Sequence, residues 1–208
     1  MQLINNYYYT EKEIKAMLDS IIIIIDTREN DNKHIIDSFE KKKIAYETKK
    51  LETGDYSFAI PENAELNIDR KLYFSHSCAI ERKATLEEIS NNLTHERTAF
   101  ENEMIRSTRL KQFYLLIETK TEIEEKQYFE NGIKIIEKKI EELGRLEDIL
   151  YKKYKTDFNE KSFFSSLISF IIRYNIKLMQ INKNNSGLLI YYILRNYLKS
   201  YLQNKFYK

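Results

Sequence analysis

The stretch that decides the fold is Ile21-Ile22-Ile23-Ile24-Ile25, which is followed directly by Asp26-Thr27-Arg28-Glu29. Five consecutive β-branched residues are too few for a helix and too apolar for a half-exposed strand, so they predict a strand that is buried on both faces. Asp26 then falls at the carboxyl end of that strand, which in α/β sheets is the edge where ligands commonly bind. Alternatively, Asp26 and Glu29 could be the N-cap and first-turn acid of a helix.

The rest of the chain predicts helices and strands that are typical of a mixed α/β domain. Helices are expected over residues 31–43, 85–93, 98–110, 163–174 and 186–202, and strands over 45–51, 56–60, 72–74, 78–80, 113–117 and 176–181. Residues 119–155 are rich in Glu and Lys with Ile and Leu at helical spacing, which predicts a helical insertion broken near Gly144. We therefore expect one domain over residues 1–208, with a restriction-endonuclease-like α/β fold whose mixed central sheet is flanked by helices.

The bulk properties restrict the class of protein. Cys78 is the only cysteine, so no intramolecular disulfide can form, and three scattered histidines cannot complete a zinc site of familiar spacing. Residues 1–15 contain no apolar segment followed by a cleavage site, and the longest weakly polar stretch, residues 162–172, is too short to span a bilayer. We expect a cytoplasmic protein with no membrane contact and no small-molecule cofactor.

Charge is distributed unevenly along the chain. The formal net charge is +2, yet residues 161–208 contain eight Lys and Arg and no Asp or Glu. This segment is also rich in Tyr, and basic and aromatic side chains together can contact phosphates and stack on bases. The alternative is a pair of ordinary amphipathic helices with Lys on the exposed face. The helix at 186–202 could likewise form either a homodimer face or part of the core through its apolar residues, which are Leu188, Leu189, Tyr192, Ile193, Tyr197 and Leu198.

Two further motifs contain acidic residues. Gly54-Asp55-Tyr56 is a turn signal, which by itself has little specificity. Glu81-Arg82-Lys83 ends a short apolar strand, and alternation along a strand places Glu81 and Lys83 on the same face. A carboxylate can hold Mg²⁺, while a neighbouring Lys can position or deprotonate the attacking water in phosphodiester cleavage. A surface salt bridge would give the same sequence.

Taken in order, these motifs resemble the XPF family of structure-selective nucleases. The signature of that family is a Gly-Asp pair, a variable gap, Glu-Arg-Lys, three residues and an acid, which stand here as Gly54-Asp55, Glu81-Arg82-Lys83 and Glu87. The upstream Asp-x-Arg-Glu stands as Asp26-Thr27-Arg28-Glu29, and residues 97–118 look like the family's Arg-containing helix and following strand. The resemblance covers residues 21–118 well and residues 163–202 more loosely.

The resemblance implies a role for each matching residue. The metal-binding carboxylates would be Asp26, Asp55 and Glu81, with Lys83 as the catalytic base or water-orienting group. Arg28, Glu29, Arg82 and Arg97 would support the site, and Glu87 could be an outer ligand. Oxygen ligands of this kind suit Mg²⁺ or Mn²⁺. The partner would be DNA, and the residues expected to contact it are Arg82, Arg97, Lys183 and Arg195.

The chain departs from the family pattern in three respects. The last acid is Glu87 rather than Asp, the gap between Asp55 and Glu81 is long, and no tandem helix-hairpin-helix module or helicase is evident. We therefore expect a stand-alone form from a bacterium or phage. Its expected function is metal-dependent cleavage of branched or otherwise unusual DNA in repair, recombination or phage and mobile-element replication. The alternatives are a catalytically silent DNA-binding partner and a restriction or defence nuclease.

Overall fold

A computed structural model describes residues 8–130, 133–147 and 160–203 of the chain. Its strands are β1 Ile22–Ile25, β2 Ala45–Thr48, β3 Tyr56–Ile60, β4 Leu72–Tyr73, β5 Cys78–Lys83, β6 Gln112–Glu130, β7 Ile133–Leu143 and β8 Lys177–Asn182. Its α-helices are α1 Glu11–Asp19, α2 Lys33–Lys42, α3 Leu86–Leu93, α4 Arg97–Ser107, α5 Glu160–Arg173 and α6 Ser186–Leu202. The predicted mixed sheet flanked by helices is confirmed.

The poly-isoleucine strand lies inside the sheet, as its composition predicts. The strand order is β2-β1-β3-β5-β6-β7, with β4 on β3 and β8 on β6. β1 pairs in parallel with β2 and antiparallel with β3, and Ile23 and Ile24 are fully buried although they face opposite sides. β-Branched side chains pack well on both faces of such a strand.

Strand direction brings the motifs to one edge of the sheet. β1, β2, β5, β6 and β8 run the same way, because the pairs β1–β2, β5–β6 and β6–β8 are parallel and β3 runs antiparallel to both β1 and β5. Asp26 follows β1, Asp55 precedes β3, and Glu81 and Lys83 end β5. All four residues therefore lie at the edge where the parallel strands end.

Each face of the sheet is covered by its own set of helices. One core contains side chains of α1, α2 and α6, including Phe39 and Leu194, packed on Ile23 and Phe58 of the sheet. The other contains side chains of α3, α4 and α5. The domain therefore has three layers, and β5 is buried on both sides at its centre.

The expectation of a helical insertion at residues 119–155 is wrong for the part that the structure describes. β6 continues beyond the sheet to Glu130 and pairs antiparallel with β7, from Lys120 opposite Leu143 to Glu130 opposite Ile133. The spacing of Ile and Leu fits a helix, but residues 120–143 contain five Ile, whose β-branched side chains favour strands. The first part of β6 is also held in the sheet, so its continuation is already extended. We call residues 120–143 the ribbon; residues 148–155 lie outside the described part.

The last helix is mainly a core helix. Ile193, Tyr197 and Leu198 are buried in the chain's own core, where the Tyr197 ring lies 6.0 Å from that of Phe58 in an edge-on contact. Tyr192, by contrast, is 55% exposed. Most of the predicted dimer face is thus occupied by intramolecular packing, the alternative that the sequence left open. Among the described helices, none is long and apolar enough to cross a membrane.

Replacing Gly187 by Ala should destabilise the fold. A Cβ at Gly187 would lie 2.8 Å from Cβ of Ser38 and 3.1 Å from the carbonyl oxygen of Ile35, so α6 and α2 would have to separate. We expect the free energy of unfolding to fall by about 1–3 kcal/mol in urea titrations, the usual cost of overpacking. Lys199→Ala, at an exposed position of the same helix, should change it by less than about 0.5 kcal/mol. A Gly187→Ala variant as stable as the wild type would contradict this packing.

Candidate active site

The turn before β3 holds Asp55 against β5. Gly54 has φ +78°, and a Cβ there would lie 3.0 Å from that of Ala79 and 3.1 Å from the carbonyl oxygen of Ile80, so only glycine fits. The amide of Asp55 donates to the Ile80 carbonyl at 2.8 Å. In return the amide of Arg82 donates to Oδ2 of Asp55 at 2.8 Å. The Gly-Asp pair is therefore fixed beside the Glu-Arg-Lys motif.

Glu81 and Lys83 form an ion pair on one face of β5. Nζ of Lys83 lies 2.8 Å from Oε1 of Glu81 and 3.2 Å from Oε1 of Glu88 on α3. The ammonium also lies 5.6 Å from the ring centroid of Phe100 on α4. Both members of the pair are buried, so water screens their charges weakly.

The acids of this site repel one another. Burial raises the pKa of Asp55 to about 7, and the nearby carboxylates of Glu29 and Glu103 add to the shift. Burial likewise raises the pKa of Glu81 well above its usual value, with repulsion from Asp55 as the next cause. The ammonium of Lys83 opposes both shifts without cancelling them. The site therefore has a surplus of negative charge.

Lys83 is held in its charged form. Burial by itself would lower the pKa of Lys83, but the carboxylates of Glu81 and Glu88 outweigh burial and raise it. A protonated amine cannot accept a proton. Of the two roles that the resemblance implies, the arrangement favours water orientation and charge neutralisation over general base catalysis.

Asp26 is engaged by protein donors. Its Oδ1 accepts hydrogen bonds from the amide and Nε of Arg28 at 2.8 and 2.7 Å, and its Oδ2 accepts from the amide of Leu51 at 2.5 Å and from Nη2 of Arg28 at 3.2 Å. Four donors fill the lone-pair sites of a carboxylate. Burial would raise the pKa of Asp26, but these bonds together lower it. The carboxylate of Asp26, which the resemblance implies as a metal ligand, is thus held in its charged form by these donors.

Arg82 points away from Glu81 and forms a buried network. Its Nε and Nη2 lie 2.9 and 2.6 Å from Oε1 of Glu29, and its Nη1 lies 2.9 Å from Oε2 of Glu118. Nη2 also donates to the carbonyl of Asp31, and Nε2 of His34 lies 2.8 Å from Oε1 of Glu118. Arg82, which the resemblance implies both as a supporting residue and as a DNA contact, is only 6% exposed, and its guanidinium lies within this network.

The acid of α3 that contacts Lys83 is Glu88, the residue after Glu87, which the resemblance suggests as an outer metal ligand. Glu87 and Glu88 are both exposed, but Glu88 accepts from Nζ of Lys83 and, at 2.9 Å, from the amide of Ala84. The helix begins after its N-cap Thr85, and that start turns Glu88 rather than Glu87 toward β5.

The other predicted DNA contacts are spread over the surface. Arg97 is exposed at the start of α4, with its guanidinium 5.5 Å from the ring of Phe170, and Lys183 follows β8 at the same sheet edge as the motifs. Arg195 forms a salt bridge of 3.1 Å with Asp19, which ties α6 to α1. Arg195 therefore has a structural partner within the chain.

Glu103 on α4 is a site residue that the sequence reasoning missed. Oε1 of Glu103 accepts from the amide of Gly54 at 3.4 Å, and its charge acts on both Asp55 and Glu81. The helical pattern of apolar residues could have identified Glu103, because it lies three residues after Phe100 and directly before Met104, both of which are buried. This spacing places Glu103 at the inner face.

The donor set fits a hard divalent cation. Asp55 and Glu81 supply carboxylate oxygens, the ligands that Mg²⁺ prefers, and their surplus negative charge would be neutralised by an ion. Mg²⁺ is commonly bound by one or two carboxylates and keeps several waters. Among the described residues, no three His, Cys, Asp or Glu side chains form a group that could hold a metal by themselves.

Replacing Arg82 by Met should be strongly destabilising. It would leave the buried carboxylates of Glu29 and Glu118 without their guanidinium partner, a loss of about 3–5 kcal/mol in the free energy of unfolding. Urea denaturation would measure it. Arg109→Met, at an exposed position after α4, is the matched control and should change stability by less than about 0.5 kcal/mol. Equal stability of the two variants would show that the network contributes nothing.

Replacing Asp55 by Asn should stabilise the metal-free protein at alkaline pH. The pKa of Asp55 is about 7 in the fold, against about 3.9 in an unfolded chain, so the unfolded state loses this proton first. Stability in EDTA should therefore fall as pH rises from about 4 to 7, and Asn removes that dependence. Above pH 7 the melting temperature of the variant should be higher than that of the wild type, by about 2–4 °C for each kcal/mol gained in free energy of unfolding. A lower melting temperature at pH 8 would contradict the repulsion inferred here.

Comparisons with known proteins agree with this fold. The family model for the ERCC4 domain matches residues 25–193. XPF from Aeropyrum pernix is 15% identical with a TM-score of 0.52, over 85% of this chain and 61% of that one. XPF from Aeropyrum pernix in complex with DNA is 16% identical with a TM-score of 0.52, over 86% of this chain and 65% of that one.

At such identity the structural matches show the fold alone, and this chain spans less than two thirds of those chains. No curated protein matches the sequence. The family match, by contrast, covers most of the chain, from the last residue of β1 through both acidic motifs and α4 into the first half of α6. The chain therefore belongs to the ERCC4 domain family.

Proposed function

We propose that the protein is a divalent-metal-dependent endonuclease that hydrolyses phosphodiester bonds in DNA. Membership of the ERCC4 domain family supports a DNA endonuclease. The observation that carries the metal dependence is the pair of mutually repelling acids, Asp55 and Glu81, beside the ammonium of Lys83. These three groups are among the four that the family resemblance assigns to catalysis, the fourth being Asp26.

Asp55 and Glu81 would hold Mg²⁺ or Mn²⁺. The ion would polarise the scissile phosphate and make a bound water more acidic. The protein's contribution is to keep the two acids in place: the Arg82 amide holds Asp55, and the Lys83 ammonium holds Glu81. Both acids sit on the rigid pairing of β3 with β5 rather than on a free loop, which fixes their separation.

Lys83 would act on the phosphate and the attacking water through its charge. It keeps its proton at neutral pH, because Glu81 and Glu88 raise its pKa. A buried ammonium can orient a water by donating a hydrogen bond to the water oxygen, and it stabilises negative charge that develops on phosphate oxygens. The packing of Lys83 over Phe100 limits the motion of the side chain.

Basic groups at the same sheet edge would receive the DNA backbone. Arg28 has a side chain that is 60% exposed although its guanidinium is oriented by Asp26. Lys49 and Lys50 are exposed directly after β2, and the amide of Lys49 bonds to the carbonyl of Ile25 beside Asp26. Lys183 follows β8 at this edge. Such contacts position DNA without reading its sequence.

The preference for branched or otherwise unusual DNA rests on the resemblance to structure-selective nucleases. DNA is named as the ligand of the XPF structure from Aeropyrum pernix, and we infer the same class of partner here. A catalytically silent binding partner would not need the acids to be retained. The retained Asp55, Glu81 and Lys83 therefore favour an active enzyme over that alternative.

Purified protein should cut flap, fork or junction DNA when Mg²⁺ or Mn²⁺ is added and should not cut in EDTA. Asp55→Ala and Glu81→Gln should abolish cutting, because each removes a proposed ligand. Lys83→Met should slow it by about 10²–10³-fold, the usual effect of removing one charge-stabilising donor. Gel assays with labelled substrates would measure the rates.

Glu62→Gln is the matched control, because Glu62 is exposed and lies beyond the far end of β3. This variant should cut at the wild-type rate. The proposal fails if folded wild type cuts none of the substrates with either ion. It also fails if Asp55→Ala cuts as fast as wild type. Preference for one sequence in plain duplex would instead support a restriction-type nuclease.

A further inference from the structure

The ribbon leaves the sheet at the edge that holds the acids and Lys83. β6 lies next to β5 and runs parallel to it, with Ile117 opposite Lys83. The ribbon begins at Lys120, three residues further along β6. At about 3.3 Å per residue, its first pair lies about 10 Å beyond the level of Lys83 and one strand to the side. DNA that occupies the site and continues toward β6 must therefore meet the ribbon.

The ribbon extends far beyond the body of the domain. Eleven consecutive pairs, from Lys120 opposite Leu143 to Glu130 opposite Ile133, give it a length of about 35 Å. None of the three hydrophobic cores contains any of the ribbon side chains that the structure describes, and Ile140 among them is 68% exposed. A two-stranded ribbon gains little stability by itself, so packing of the domain does not account for this element.

The base of the ribbon is fixed to β8. The side chain of Gln180 donates to the carbonyl of Gly144 at 2.8 Å and accepts from the amide of Leu146 at 3.2 Å. Nδ2 of Asn182 donates to Oγ1 of Thr121 at 2.5 Å. These bonds hold the chain where it enters the ribbon and where it leaves it, and so they set the direction in which the ribbon projects.

The charges of the ribbon do not favour the DNA backbone. The ribbon contains seven Glu and five Lys. Lys120 forms a salt bridge of 3.1 Å with Glu122, and Lys139 lies 3.2 Å from Glu141. Lys183, which follows β8 beside the base of the ribbon, reduces this excess of acid without reversing it. The ribbon therefore does not attract phosphates along its length.

Three exposed basic residues lie on the other side of the site. Arg28 follows β1, and Lys49 and Lys50 follow β2. The strand order β2-β1-β3-β5-β6 places these groups on one side of the acids and the ribbon on the other. The site is thus basic on the side of β1 and β2 and obstructed on the side of β6.

We propose that the ribbon selects the substrate by its bulk, because it blocks continuous duplex DNA on the β6 side of the site. This inference rests on the proposed function, since it concerns DNA in the same site. A duplex is stiff, with a persistence length of about 50 nm, so it bends around an obstacle of this length only at a cost. A single strand has no such stiffness and can pass beside the ribbon. A fork or flap whose duplex ends at the ribbon therefore reaches the site more readily than a plain duplex.

A shortened ribbon tests this role. Residues 124–139 are replaced by Asn-Gly, a preferred two-residue hairpin turn, which joins the paired residues Ile123 and Ile140 and leaves the base intact. The variant should cut a plain duplex at least about fivefold faster than wild type, the factor that corresponds to the low end of the cost of bending a short duplex. It should cut a fork of the same sequence at the wild-type rate, and its melting curve shows whether it is folded.

A milder variant keeps the test open if that change prevents folding. Replacing residues 127–136 by the same turn, between the paired Lys126 and Glu137, should raise duplex cutting by a smaller factor. The control for charge is Glu122→Gln combined with Glu141→Gln, which removes two acids at full ribbon length. This control should cut plain duplex at the wild-type rate. If it cuts duplex as fast as the shortened variant does, charge and not bulk causes the block, and the proposal fails.

Binding measurements separate the ribbon from the nuclease. Fluorescence anisotropy in EDTA gives the affinities for labelled fork and plain duplex without cutting. Tighter duplex binding by the shortened variant, with fork binding unchanged, would support the ribbon's role even if wild type cut no DNA, a result that would refute the nuclease alone.

Two other results would overturn the role of the ribbon. Wild type that binds and cuts plain duplex as well as fork shows no selection, although its cutting still supports a nuclease. A shortened variant that loses fork and duplex alike would show that the ribbon attracts DNA. Wild type that neither binds nor cuts either DNA would refute both the ribbon's role and the proposed function.

Discussion

The buried guanidinium of Arg82 is the interaction on which the rest of the site depends. It joins Glu29, which follows β1, to Glu118 near the point where β6 leaves the sheet, and so it fixes two elements to β5. A buried charge of this kind is tolerated only when its hydrogen bonds are satisfied, and here four donor contacts on Glu29, Glu118 and the Asp31 carbonyl satisfy it. The register of β5 is therefore set by electrostatics as well as by packing.

Because side chains alternate along a strand, fixing Arg82 on one face fixes Glu81 and Lys83 on the other. The residue in the middle of the motif thus has a structural role and its two neighbours have a chemical one. The backbone amide of Arg82 also contributes to the chemical role, since it donates to Asp55 while the guanidinium binds Glu29 and Glu118. One residue connects the folding network to the acid pair, and this explains why three weak sequence motifs form one site.

Much of this arrangement could be predicted from local patterns, and the exceptions have definite physical reasons. Ile21–Ile25 and the alternation of Glu81 and Lys83 depend only on strand geometry, and the structure agrees with both. The ribbon was missed because Glu, Lys and Ile at mixed spacing suit a helix or a strand, and pairing with β7 decides between them. Three other features depend on partners that are distant in sequence: the hydrogen bond of Asp26 with Leu51, the salt bridge of Arg195 with Asp19, and the contact of Glu103 with Gly54. A motif alone does not contain that information.

The repulsion among the acids has consequences for both stability and binding. Asp55 and Glu81 are held together by the backbone bonds of Asp55 and by the ion pair of Lys83, so they cannot separate to relieve their mutual repulsion. A folded state with unrelieved negative charge is less stable than one in which a cation neutralises it, so binding of the proposed ion would recover the free energy that the repulsion costs in the metal-free chain. Because the pairing of β3 with β5 is rigid, the two acids would favour a positively charged ligand whatever its coordination geometry. The same rigidity keeps Lys83 beside the acids, where its single positive charge offsets only part of the rise in their pKa values.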